Sequence, residues 1–411
     1  MTLLRRRRIL PLIAALTTTA ALAAQAAPAA AAATPAPGKL LATASHPITN
    51  DYVVVFHDAA VRAAAVPDVA ASMAAAHGGA VGYTYQHAFH GFQFKGDARD
   101  AAAIAADPAV RYVAQSGMRH VDGGGTQNNP VWGLDRIDQR KVTADRKFTY
   151  PNDGTGVTAY IVDTGLRYTH SEFGGRAVAG LDAITEGGGA VDCHGHGTHV
   201  GGTVGGKTYG VAKNVKLVGV RVIDCDGSGP DPGVAKAIDW IIENASGPSV
   251  VNMSIGGDPF SPIDDAIRKA VATKNISFAV AAGNGDDLGR PQDACNHTPA
   301  RVTEAVTVAA STSRDRSASF TNYGKCVDIF APGVSVKSGW IGSDTATRTI
   351  DGTSMATPHV AGVMAVVLSD KPETTPAQMS TLLTDAATSD AITGVGTDSP
   401  NKLLYIGPSA R

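Results

Sequence analysis

Val157-Thr158-Ala159-Tyr160-Ile161-Val162-Asp163-Thr164-Gly165 is an apolar run that stops at a carboxylate and a glycine. Such a run, rich in β-branched residues and without polar alternation, reads as a strand buried on both faces. Four more runs of β-branched or small apolar residues follow, at 215–223, 249–255, 276–282 and 305–309. Helix candidates lie among them, at 199–206, 234–244 and 262–274. The last has Ser261 as N-cap, Pro262 at the first helical position and Asp264 in the first turn. Alternating strands and helices predict an α/β unit, a parallel sheet with helices on both faces. Functional groups in such sheets gather at the carboxyl ends of the strands, where Asp163 stands.

Upstream the pattern changes. Residues 52–56 read as a strand, 59–77 as a helix broken by Pro67 and stopped by Gly78-Gly79, and 80–87 and 90–95 as strands. A helix at 97–107 and a strand at 110–113 complete the ferredoxin-like split order, a small α+β domain at 51–124. Asp122-Gly123-Gly124-Gly125 separates it from the α/β unit at 125–411. Residues 27–50, mostly Ala, Pro, Thr and Ser, predict a flexible linker. Before them come Arg5 to Arg8, an apolar stretch at 9–24, and Ala24-Gln25-Ala26 at small-x-small spacing. That is the pattern of a secretory signal peptide, residues 1–26, cut after Ala26. A secreted, extracellular protein is expected, with no membrane association after the signal is removed.

Of 411 residues, 44% are hydrophobic and 18% charged, which excludes a wholly disordered chain. The formal net charge of -2 does not indicate a nucleic-acid binder. Export governs the four cysteines, Cys193, Cys225, Cys295 and Cys326. An even count in an oxidising compartment predicts two disulfides. Three pairings are open, and sequence neighbours close the shortest loops. No C-x-x-C spacing points to zinc or redox chemistry.

Chemistry concentrates in four segments. Asp163 ends its strand as a charge that burial would penalise unless it is paired. His194-Gly195-His196-Gly197-Thr198-His199 holds three imidazoles, but no H-E-x-x-H follows. Gly352-Thr353-Ser354-Met355-Ala356-Thr357-Pro358 places Ser354 where a loop enters a helix, with Pro358 compatible with the first turn. Free N–H groups of that turn can face an oxyanion. Ala281-Ala282-Gly283-Asn284 offers a side-chain amide as a second donor. Asp163, His196 and Ser354 make an orienter, a base and a nucleophile. Two rival readings stand beside this one, a catalytically dead binding or chaperone module and a metal-dependent hydrolase using His194, His196 and His199.

These residues, with Trp132-Gly133-Leu134-Asp135-Arg136-Ile137, Asn252-Met253-Ser254-Ile255-Gly256-Gly257 and Ser319-Phe320-Thr321-Asn322-Tyr323-Gly324, resemble the subtilase superfamily. The resemblance is strongest to its proteinase K and aqualysin branch and runs over about 129–405. It implies a subtilisin-like α/β fold preceded by a propeptide that acts as chaperone and inhibitor. The implied activity is an autoprocessed, monomeric serine endopeptidase acting on proteins and peptides, broad in specificity and favouring apolar or aromatic residues. Ser254-Ile255-Gly256 and Ala281-Ala282-Gly283 correspond to the walls of the primary pocket. Residues 219–229, beginning at Gly219, correspond to the segment flanking a bound peptide. The branch implies the pairs Cys193–Cys225 and Cys295–Cys326. It also implies a structural Ca²⁺ held by Asp328 with backbone carbonyls of Thr303 and Ala305, a donor set suited to a hard cation. The chain departs from the family at 285–291, a longer loop after Asn284, and at Val200, where some relatives carry a cysteine. No further domain is expected after 405.

Overall fold

The computed structural model describes residues 39–41, 47–117 and 124–407. The signal segment and Asp122-Gly123 lie outside the described residues. Two compact units emerge, one centred on 49–115 and one running from 116 onward.

The first unit contains β1 (Lys39–Leu41), β2 (Pro47–Phe56), α1 (Val66–Ala76), β3 (Ala80–Tyr85), β4 (Gly91–Lys95), α2 (Ala98–Ala105) and β5 (Val110–Gly117). Its sheet has the order β1-β5-β2-β4-β3. The split order is present, with two additions inside the expected linker. β2 begins at Pro47, and Leu40 pairs in parallel with Val113, so β1 forms an edge strand. Pro67 does not break α1 but sits in its first turn, where a missing N–H leaves nothing unsatisfied. Asp97 caps α2 by accepting the Asp100 N–H. Phe56, Phe92, Phe94, Ile104 and Val113 fill the core.

The second unit opens with β6 (Gly125–Asn128), α3 (Trp132–Ile137), β7 (Lys147–Tyr150), β8 (Thr158–Asp163), β9 (Ala177–Asp182), α4 (His196–Gly205) and β10 (Lys216–Arg221). It continues with α5 (Asp231–Asn244), β11 (Ser249–Met253), α6 (Ser261–Lys274), β12 (Ser277–Ala281), β13 (Val306–Ser311) and β14 (Ile329–Pro332). β15 (Val336–Gly339), β16 (Thr347–Ile350), α7 (Thr353–Asp370), α8 (Pro376–Ala386), β17 (Thr388–Ser389) and β18 (Lys402–Leu403) complete it. The main sheet runs β17-β18-β14-β13-β12-β11-β8-β10-β9, parallel except for β17 against β18.

β8 shows why its sequence lacks alternation. Ala159 and Ile161 join the core that contains residues of α4 and α7, while Tyr160 and Val162 join the core that contains residues of α5 and α6. Both faces are covered, so Ala159 to Val162 are all apolar. α7 is buried almost all round, as a helix beneath a sheet must be.

Three local expectations change. α4 starts at His196 rather than 199. Ser261 is the first residue of α6, Phe260 is its N-cap, and no side chain caps it. Asp264 instead accepts hydrogen bonds from Thr298 Oγ1 (2.9 Å) and Arg301 Nε (2.7 Å). Pro358 is the sixth residue of α7, past the first turn.

Candidate active site

Asp163 ends β8 and is fully buried. Its carboxylate accepts the Thr164 N–H at 2.7 Å and His196 Nδ1–H at 2.8 and 2.9 Å. The His196 side chain remains 22% exposed and is the first residue of α4. Burial lowers its imidazole pKa, while the charge and hydrogen bond of Asp163, helped by Asp192, raise it. The balance lies above the ordinary value. Such a ring is oriented by one nitrogen and leaves the other to take a proton.

Asp192 is a residue that the sequence reading missed. Its Oδ1 accepts the N–H groups of His194 and Gly195, and its Oδ2 accepts both the N–H and the hydroxyl of Thr198. This buried carboxylate satisfies the free donors at the start of α4 and fixes the angle of His196. An Asp four residues before a helix-starting His was the available signal. The other two histidines go elsewhere. His199 Nε2 bonds to Val336 O at 3.1 Å, and His194 packs against Trp340. Among the described residues no three His, Cys, Asp or Glu side chains group as metal ligands.

Ser354 is the second residue of α7, after Gly352 at φ 153°, a conformation that favours glycine. Reciprocal bonds tie it to Ser254, just beyond β11. Ser354 Oγ donates to Ser254 O at 3.0 Å, and Ser254 Oγ donates to Ser354 O at 2.9 Å. The second bond answers Pro358, which has no N–H to give the carbonyl four residues back. Asn252 Nδ2 in turn donates to Ser254 Oγ. Asn284, three residues beyond β12, accepts both the N–H and the hydroxyl of Thr353 through Oδ1, at 2.8 and 2.9 Å. Its Nδ2 is thereby left to donate into the cleft. Asp163, Ser254 and Asn284 thus follow β8, β11 and β12, three neighbouring strands spaced about 4.8 Å apart.

Beside Ser354 and Asn284 opens a cavity of about 560 Å³, walled by Ser254, Ile255 and Gly256 on one side and by Ala281, Ala282 and Gly283 on the other. A Cβ at Gly283 (φ 103°) would collide with Asn322 Nδ2. Asn322 is the second residue that the sequence reading left without a role. Its Oδ1 accepts the N–H groups of Gly285 and Gln292, and so pins the base of the loop between them.

Against this geometry stand the comparisons. Residues 154–402 match the subtilase family, and residues 51–122 match the peptidase inhibitor I9 family. The chain belongs to the subtilase family. Membership makes it a serine endopeptidase with its own inhibitor-type N-terminal domain. It is 44% identical, over 89% of its length, to alkaline serine exoprotease A of Vibrio alginolyticus, covering 69% of that protein. It is 47% identical, over 80% of its length, to an extracellular serine proteinase of a Thermus species, covering 78% of that protein. The crystal structure of a cold-adapted subtilisin-like serine proteinase matches 68% of this chain and 99% of its own, at 50% identity and a TM-score of 0.65.

One expected contact of this subtilase needs correction. Gly219 lies inside β10, buried and paired with Ile161 on one side and Ala179 on the other. Both edges of its backbone are occupied, so it cannot bind a substrate strand. Gly227 to Gly229, later in the same segment, are exposed. The disulfides join Cys193 to Cys225 and Cys295 to Cys326. Asp328 Oδ2 accepts the Thr307 N–H at 2.8 Å, and burial pushes its carboxyl up to about 6.

Proposed function

We propose that Ser354 is the nucleophile, His196 the general base and then acid, and Asp163 the group that orients it. The observation that carries this reading is that three neighbouring strands converge on these groups: Asp163 at the end of β8 holds His196, Ser254 just beyond β11 is hydrogen-bonded to Ser354, and Asn284 beyond β12 is hydrogen-bonded to Thr353 beside it. On substrate binding the Ser354 hydroxyl leaves Ser254 O for His196 Nε2, a change of rotamer that apo sites commonly require. Oγ attacks the peptide carbonyl carbon as its proton passes to His196. The oxyanion takes hydrogen bonds from Asn284 Nδ2 and the Ser354 N–H. His196 then gives the proton to the departing amine, and water repeats the sequence on the acyl-enzyme.

The substrate backbone lies as an added strand beside Gly227–Gly229, and the side chain before the cut bond enters the 560 Å³ cavity. Walls of Ile255, Ala281 and Ala282 suit broad acceptance of apolar or aromatic residues. Residues 51–124 act as the enzyme's own inhibitor and are released by a cut between 122 and 126. The signal-like N-terminus, the two disulfides and the extracellular Thermus relative support secretion. The mature enzyme acts as a monomer on protein and peptide substrates.

A structural Ca²⁺ fits Asp328 with the Thr303 and Ala305 carbonyls. The set is all oxygen, and among the described residues no Lys or Arg pairs with the half-buried carboxylate. Bound there, the ion supplies charge compensation. Chelation should shorten the half-life on heating without immediate loss of activity, and Asp328→Asn should remove that sensitivity to chelator. The decisive experiment on the site is Ser354→Ala. Activity should fall about a millionfold in kcat and the precursor should remain uncut. Normal processing of the purified variant, with no other protease present, overturns the assignment.

A further inference from the structure

The cavity beside Ser354 has an apolar strip at Ile255, Ala281 and Ala282, but three carboxylates also line it, Asp258, Asp286 and Asp287, with neither lysine nor arginine among the lining residues. They do not act alike. Asp286 is already neutralised. Arg290 Nη2 and Nε lie 2.6 and 2.7 Å from its Oδ2, and its Oδ1 accepts the N–H groups of Leu288 and Arg290. Asp258 and Asp287, among the described residues, have no hydrogen bond or ion pair.

Both free carboxylates are held in place by backbone. Asp258 follows Gly256 and Gly257 directly after the pocket wall, and the Gly257 N–H and O are both hydrogen-bonded to Thr298. Asp287 sits in the loop that Asn322 pins at Gly285 and Gln292 and that the Asp286–Arg290 pair braces internally. The wall formed by Gly256 and Gly257 leaves the space open. A Cβ added at Gly257 would meet nothing within 4 Å, and one at Gly256 would meet only Thr298 O, at 3.7 Å. A methylene stem therefore has Ile255, Ala281 and Ala282 to lie along, and a terminal cation has two unpaired anions to meet, the arrangement in which lysine and arginine side chains bury stem and expose charge.

We propose that this pocket takes lysine and arginine before the cut bond, in addition to apolar residues, and that Asp258 and Asp287 are the determinants. The proposal rests on the assignment of the cavity as the primary pocket of the Ser354 site. The pairs form at a solvent-reached rim, where each is worth about two- to fivefold in an equilibrium. Together they should bias kcat/KM by roughly tenfold. Because they are exposed, salt should weaken them.

The test uses mature enzyme and four peptides that differ only before the cut bond, with lysine, norleucine, phenylalanine or glutamate there. Rates are normalised to sites titrated with an active-serine reagent, so misfolded variants do not count. Lysine should be cut at least as well as its uncharged analogue norleucine at low salt, and glutamate at least tenfold worse. Molar salt should erode the lysine-to-norleucine ratio several-fold. The Asp258→Asn, Asp287→Asn double variant should lower that ratio about tenfold. A lysine peptide cut tenfold worse than norleucine, or a ratio indifferent to salt and to the double variant, overturns the proposal. Failure of the active-serine reagent to block the phenylalanine peptide would instead overturn the site assignment itself.

Discussion

Helices α4 and α7 both begin at the carboxyl edge of the sheet, yet they use their first amides in opposite ways. At α4 a carboxylate consumes them. Asp192 takes the N–H groups of His194, Gly195 and Thr198, and Thr164 Oγ1 takes that of Gly197. At α7 a neutral amide oxygen takes only the Thr353 N–H, Met355 folds back on Gly352, and among the described residues the Ser354 N–H has no acceptor. An anion at a helix start is stabilising. One start has its anion built in, so it only holds His196. The other is left without one, and an anion that forms during the reaction can occupy it.

The largest effect should come from breaking the α7 side. Asn284→Ala removes a donor aimed at the oxyanion, and kcat should fall about a hundred- to a thousandfold with KM little changed. A loss confined to KM would place Asn284 in ground-state binding. Next come the histidines buried inside the two helices. His199 and His359 are each pushed down to about 4 from 6.5, by burial above all. Their folded pKa values lie below the unfolded ones, so the stability they leave intact above pH 6.5 is lost as pH falls towards 4. Relative to the parent, His359→Gln should gain on the order of 3 kcal/mol of unfolding free energy between those limits. Measuring the difference cancels Asp138 and Asp328, which burial pushes up to about 6 and which titrate in the opposite sense. A difference that does not change with pH would mean that His359 is already charged in the fold. Smallest is the α4 side. Asp192→Asn weakens charge-assisted bonds and should cost about 2 kcal/mol in unfolding experiments. It should also shift the acid limb of kcat/KM to lower pH, because the Asp192 charge raises the His196 pKa. An unmoved limb would make Asp192 purely structural.

What could be read from the sequence was whatever depends on neighbours along the chain. The apolar run at 157–162 announces a doubly covered strand, and glycines near His196 and Ser354 announce tight entries to helices. Thr353 and Asn322 stayed hidden because their partners arrive from 30 to 69 residues away, through the fold, whereas Asp192 stands within six residues of His194, Gly195 and Thr198 and was overshadowed by the histidines beside it. Gly219 was misplaced for another reason. The resemblance gave the flanking segment as a range beginning at Gly219, and only the ladder shows that Gly219 is still inside β10, where it makes room for the Tyr168 hydroxyl. Lys39-Leu40-Leu41 was too short to register against its Ala- and Pro-rich surroundings, and becomes a strand only because β5 offers an edge.

Pro358 has a mechanical consequence. By withdrawing one donor it unhooks the nucleophile's carbonyl from the helix above it, and the Ser254 hydroxyl holds that carbonyl instead. Ser254 is also part of the pocket wall. A side chain that fills the pocket therefore tightens the mount of the attacking oxygen, and one that leaves it slack lets the mount drift. Fit at one residue is then felt as speed of bond-making, and across a series of side chains before the cut bond kcat should vary more than KM.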